Sequence, residues 1–211
     1  MPRPPSEETR RALIDVAASR LARREVVTLR SLASAVGVST IAIYTYFDGM
    51  PGLWASVRQE GFERLRERLA LVPQYRDPVR RLAALGVAYA EHGVAHPAIY
   101  RVMFDTTAEL SDALSATAGF QPLIDGALAA VGAGRFAPSV DPSGFAVRFW
   151  GTGHGLVSLV VGGVLGIDQL VDHAPKIAIA LFIAAGDEPQ RARRSVNAAW
   201  RSTTLGNPLA V

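Results

Sequence analysis

The segment Thr28-Leu-Arg-Ser-Leu-Ala33-Ser-Ala-Val-Gly37-Val-Ser39-Thr40-Ile-Ala-Ile43-Tyr44-Thr-Tyr-Phe47 decides the reading of this chain. Thr28 and Ser39 can each cap a short helix, because a hydroxyl oxygen accepts a first-turn N–H that has no partner inside the helix. Leu29, Leu32, Ala33 and Val36 form the inner face of the first helix. Ala33 is small where two helices must cross closely. Gly37, four residues later, suits a tight turn that needs positive φ, and Ile43, six residues further on, is the apolar plug of the second helix. Spacing of this kind is that of a helix-turn-helix, although an ordinary corner between two helices shares it.

On a 100° wheel the second helix has two distinct sides. Ser39, Ile43, Tyr46 and Phe47 share the inner one. Ile41, Tyr44 and Thr45 share the outer one, with Thr40 at its leading edge. Two hydroxyls beside an exposed isoleucine call for a partner. The major groove of DNA supplies base-edge acceptors, phosphates and the thymine methyl. The backbone N–H groups at both helix starts, with Thr28 and Ser39, suit phosphates, and Arg30 can reach a phosphate or a base edge.

Working outward, the pattern stays helical almost throughout, with no alternating strand and no hairpin signal. Upstream, Ser6 can cap a helix that opens on Glu7 and Glu8, shows an apolar stripe of Leu13, Val16, Ala17 and Leu21, and ends among Arg20, Arg23 and Arg24. Downstream, a long helix is expected over roughly 51–71, with Leu53, Trp54, Val57, Gly61 and Leu65 on one side. Asp77-Pro78 and Asp141-Pro142 each read as a cap followed by a first-turn proline. The helices they open run to about 95 and 166. A short helix from Pro97 carries Tyr100, Met103 and Phe104. Helical character is expected over 108–132, interrupted near 119–122, and again over 174–185. The domains are set at 1–50, 51–186 and a partly mobile tail of 187–211 that holds Arg191, Arg193, Arg194, Gly206 and Pro208.

The chain has 211 residues and no cysteine. That excludes a disulfide scaffold and a cysteine nucleophile. Residues 1–68 hold 11 arginines against 8 acidic residues, while the remainder balances, so the whole net charge of +3 lies in the first third. An anionic partner there fits that distribution. No apolar leader opens the sequence, and no apolar run reaches the length of a membrane span, so a cytoplasmic protein without membrane contact is expected.

The run from Thr28 to Phe47, followed by Gly52-Leu53, resembles the DNA-binding domain of the TetR family of transcriptional regulators. The resemblance covers residues 8 to about 57. It implies an all-helical homodimer with three N-terminal helices on DNA and a larger C-terminal domain that dimerises and binds a small effector. By the same resemblance Thr28, Arg30, Ser39, Thr40, Ile41, Tyr44, Thr45 and Tyr46 fall on DNA-contacting positions. Tyr46 stands where the family often has His. Met50 stands where it usually has Lys, which removes a phosphate contact, and Asp48 beside it repels phosphate. In the C-terminal part, His96-Pro-Ala-Ile-Tyr100-Arg-Val-Met103-Phe104 and Trp150-Gly-Thr-Gly-His154-Gly155 resemble the WHG type of TetR C-terminal domain.

The resulting expectation is a repressor released from a palindromic double-stranded operator by a small apolar effector. Tyr89, Tyr100, Met103, Phe104 and Trp150 form the expected effector wall, with His154 either as its polar handle or as a core histidine. The apolar helices 141–166 and 174–185 are expected to pair two subunits, their glycines allowing close backbone approach. No cofactor and no metal are called for: His92 and His96 have ligand spacing on a helix but lack a third ligand. Neither a phosphate loop nor a hydrolase elbow is present. The alternative is a helical ligand-binding protein or enzyme without DNA binding, and the 28–47 segment is what separates the two.

Overall fold

The computed structural model describes residues 6–23, 25–104 and 119–205. Among them are ten helices and no strand: α1 (Glu7–Ala22), α2 (Leu29–Val36), α3 (Thr40–Phe47), α4 (Met50–Ala70), α5 (Pro78–Ala95), α6 (Pro97–Met103), α7 (Gln121–Gly132), α8 (Pro142–Val161), α9 (Ile167–Ala184) and α10 (Pro189–Trp200). The expectations for Arg24, for 108–118 and for Gly206 and Pro208 lie outside the described residues. Among those residues no helix is long and apolar enough to cross a membrane. The chain divides into two units, residues 1–64 with 96–116 and residues 65–95 with 117–211.

In the first unit α1 packs on α2 and α6, and α2 on α3. Ser6 caps α1 by accepting the Thr9 N–H. The buried face of α1 is Leu13, Ile14, Ala17 and Ala18. It is turned slightly from the expected stripe, because Ile14 and Ala18 go in while Val16 and Leu21 are only half-buried. Two glycines of α4 mark close approaches. A Cβ on Gly52 would fall on the Phe47 carbonyl, and one on Gly61 would meet Met103 and Ile99 of α6. Phe62, Tyr100 and Phe104 stack edge to face around that crossing, and Arg58 Nε donates to the Met103 carbonyl.

In the second unit α5 is the central helix, packed by α7, α8 and α10. Phe136, Phe145, Phe149 and Phe182 form an aromatic cluster with centroids 4.8–6.0 Å apart. Three expected boundaries move. The helix opened by Asp141 stops at Val161, not 166, because Gly163 turns the chain with φ 77°. The next helix starts at Ile167, not 174, and carries Pro175 in its interior, so the proline does not mark its first turn. Part of the expected tail from 187 is a helix, α10. Ala192, Ser195, Val196 and Ala199 at helical spacing bury one of its faces.

Candidate nucleic-acid interface and ligand wall

The helix-turn-helix is built by its own short-range chemistry. Thr28 Oγ1 accepts the Ser31 N–H and Ser31 Oγ accepts the Thr28 N–H, so both ends of a capping box close on α2. Gly37 ends α2 in the left-handed region at φ 76°, and its N–H and that of Val38 both reach the Ala33 carbonyl. Ser39 Oγ then accepts the Ala42 N–H and starts α3. Asp48 ends α3, also left-handed, at φ 54°.

The turn fixes which face of α3 looks out. Ile43 and Phe47 of α3 are buried, as is Ala33 of α2, on which α3 packs. Ile41 is 75% exposed and Tyr44 57% exposed. Thr40 and Thr45 are exposed beside them, as are Thr28, Arg30 and Ser39. Thr45 Oγ1 donates to the Ile41 carbonyl at 3.1 Å. Seven of the eight DNA-contact candidates are therefore exposed. Tyr46 differs. It is half-buried, its ring lies 5.8 Å from that of Phe47, and its hydroxyl accepts the Ser6 N–H at 2.7 Å. Tyr46 thus ties the recognition helix to the start of α1, a bond forty residues long that the wheel alone does not reveal.

Of the six effector-wall candidates, three belong to each unit. Tyr89, Trp150 and His154 come together in the second unit. The Tyr89 hydroxyl lies 2.9 Å from His154 Nδ1, the Ser158 hydroxyl 3.3 Å from Nε2, and the Trp150 ring stacks on the imidazole at 5.0 Å. The Phe120 ring packs on this set, 4.9 Å from Trp150. Burial lowers the His154 pKa below the ordinary histidine value, so the ring is held neutral. A neutral imidazole has one donor and one acceptor, and the two hydroxyls engage both, beside two aromatic faces. Tyr100, Met103 and Phe104 belong to the first unit, where they pack on α4 at Gly61 and Phe62. Ser158 and Phe120 join this set beyond the residues expected from the sequence. Ser158 follows His154 by one helical turn, a signal that spacing carries, whereas Phe120 carries none. Among the described residues no three His, Asp or Glu side chains gather as a metal site requires.

A capped helix-turn-helix with a polar outer face, joined in one chain to a helical body, defines a DNA-binding regulator. The comparisons place it further. A family model described as the tetracyclin repressor-like, C-terminal domain matches residues 82–200. No curated protein matches. Among solved structures, a protein with unknown function from Rhodococcus sp. RHA1 is 25% identical, with a TM-score of 0.71 over 88% of this chain and 100% of that one. The TetR family protein CprB from S. coelicolor A3(2) is 25% identical, with a TM-score of 0.68 over 92% of this chain and 97% of that one. A bacterial regulatory protein in the TetR family from Rhodococcus RHA1 shares the fold at 18% identity, with a TM-score of 0.63 over 96% and 100%. The chain belongs to the TetR family: it is a DNA-binding transcriptional regulator and not an enzyme. Regulators of this family bind DNA and small-molecule ligands and act as dimers.

Proposed function

We propose that this protein is a cytoplasmic repressor. It holds a palindromic operator through the outer face of α3 in residues 1–50, and a small apolar effector releases it. The observation that carries the reading is the exposed set Thr40, Ile41, Tyr44 and Thr45 beside the capped starts of α2 and α3. Ile41 and the Thr45 methyl suit thymine methyls, the hydroxyls suit base edges, and Thr28, Arg30 and Ser39 suit phosphates. Tyr46 enters as a positioning residue through Ser6, with one hydroxyl proton left for DNA.

The effector reading rests on Tyr89, Trp150 and His154. Two aromatic faces and a neutral histidine fit an apolar ligand that makes one or two hydrogen bonds. Tyr100, Met103 and Phe104 lie in the first unit, around Gly61 and Phe62.

The dimer reading rests on α8. Val147, Gly151, Gly155 and Leu159 recur every four residues. The two apolar side chains are 57% and 41% exposed, and a Cβ on either glycine would meet nothing within 4 Å among the described residues. An apolar stripe with bare backbone at its centre suits close approach of the same stripe in a second copy, with α9 alongside.

The test is selection of duplexes from a random pool by the purified protein, followed by sequencing. A two-fold symmetric site with half-sites about one helical turn apart, or a multiple of that, is expected. Enrichment of no sequence, or of a site without symmetry, overturns the operator reading.

A further inference from the structure

Five arginines of the second unit surround an open cleft of about 510 Å³. They come from three separate stretches. Arg76 and Arg80 flank the start of α5, Arg135 follows α7, and Arg191 and Arg194 lie on the first two turns of α10. One acidic residue, Asp77, lines the cleft with them.

Arg135 is buried and fully engaged. It donates through Nε and Nη2 to Asp187, at 2.7 and 2.6 Å, through Nη1 to Asp77, and through Nη2 to Ser195 Oγ. Asp77 also accepts from the Val79 N–H and the Ser195 hydroxyl. Its carboxylate is therefore engaged inside the protein, and the floor of the cleft is a hydrogen-bonded network of two carboxylates on one guanidinium, with a net charge of −1. The walls are different. Arg76, Arg191 and Arg194 make no salt bridge with any described residue. Arg80 lies over the Tyr75 ring at 4.2 Å, and its Nε is buried without a hydrogen-bond partner. Glu188 stands near Arg191 and Arg194, but its carboxylate is taken up by the N–H groups of Gln190 and Arg191.

Four arginines besides Arg135 line one concavity, and the floor's net charge of −1 together with Glu188 offsets only part of their charge. A planar guanidinium fork matches two oxygens of a phosphate, and several forks require several anionic groups. The volume lies within the range of small-molecule sites. We infer that this cleft binds a small polyphosphate, either free or as the phosphate chain of a nucleotide. The site is separate from the aromatic set around His154 and does not depend on the DNA reading.

The experiment is calorimetric titration of the full chain, without DNA and at roughly 150 mM salt, with sodium tripolyphosphate, ATP and citrate in turn. One saturable site per chain is expected for tripolyphosphate or ATP, with citrate clearly weaker. Equal binding of the two phosphates assigns the free polyphosphate, and tighter ATP assigns a nucleotide. The pair Arg191→Ala with Arg194→Ala should weaken binding by about tenfold or more. Arg76→Ala with Arg80→Ala tests the same cleft from another helix. Arg193→Ala with Arg201→Ala removes equal charge outside the lining and should leave affinity within about twofold. The inference is overturned by absence of saturable binding, by citrate as tight as tripolyphosphate, by equal loss in the control pair, or by wild-type affinity in both cleft pairs.

Discussion

Tyr44 and Ile43 are neighbours in sequence with opposite duties. Ile43 is completely buried, whereas Tyr44 faces solvent. Ile43→Ala should therefore cost roughly 2–5 kcal/mol and unfold or loosen the head, as cavity formation in a core does. Tyr44→Ala should leave the melting temperature nearly unchanged and remove specific operator binding, read by fluorescence anisotropy on the selected site. Unchanged operator affinity in Tyr44→Ala would mean that the outward face has been misassigned. His154 gives a second prediction. Its pKa is lowered by burial, so the unfolded chain, with a value near 6.5, takes up a proton that the folded chain refuses. Stability from this residue is complete above about pH 6.5 and declines as the pH falls toward the folded value. His96 shifts the same way, from burial and the nearby Arg64 charge, so it adds to the decline. The melting temperature of His154→Gln should therefore fall less steeply than wild type between about pH 7 and 5. Identical slopes would show that the imidazole is not held neutral.

At the scale of elements, what could be read from sequence was what is local. The caps Ser6, Thr28 and Ser39 and the left-handed Gly37 are each settled within four residues, and all stand as read. The helix α10 escaped because its buried face consists of Ala, Ser and Val, which give a faint stripe among three arginines. The true ends of α8 and α9 escaped because a glycine can continue a helix or break it, and only the backbone decides. Pairings of long reach, such as Tyr89 with His154 or Arg135 with Asp77 and Asp187, leave no mark in spacing at all. The turn at Gly163 decides which glycine can test the dimer. Because Gly163 sits in a turn at positive φ, replacing it would strain the backbone rather than probe an interface. Gly155→Glu is the cleaner variant. Its Cβ has open space in the protomer, and removing a helix-interior glycine gains up to about 1 kcal/mol. The expected product is a monomer at least as stable as a wild-type protomer, seen by light scattering. A dimer of unchanged affinity would place the interface elsewhere.

For the whole molecule, the proposed switch is a coupling between two ligands, and coupling has to be reciprocal. If the effector weakens operator binding by some factor, the operator must weaken effector binding by the same factor, typically about 5–150-fold. The aromatic set provides the readout. Trp150 lies 4.9 Å from Phe120 and stacks on His154, so a ligand seated there should alter its fluorescence. Titrating an effector against free protein and against protein saturated with operator gives the first factor. Titrating operator with and without effector gives the second. Their agreement is expected on thermodynamic grounds and checks that one linked equilibrium is being measured. The location of the site is tested by Trp150→Leu. This change keeps an apolar side chain on a half-buried position of α8, so operator affinity without effector should stay within about twofold of wild type. The effector concentration for half-release should rise by about tenfold or more, because the aromatic face that holds the ligand is gone. If the variant releases operator at the wild-type concentration, the ligand does not rest on Trp150. Tyr89, His154 and Ser158 would then be a hydrogen-bonded core that orders α5 against α8 without touching an effector.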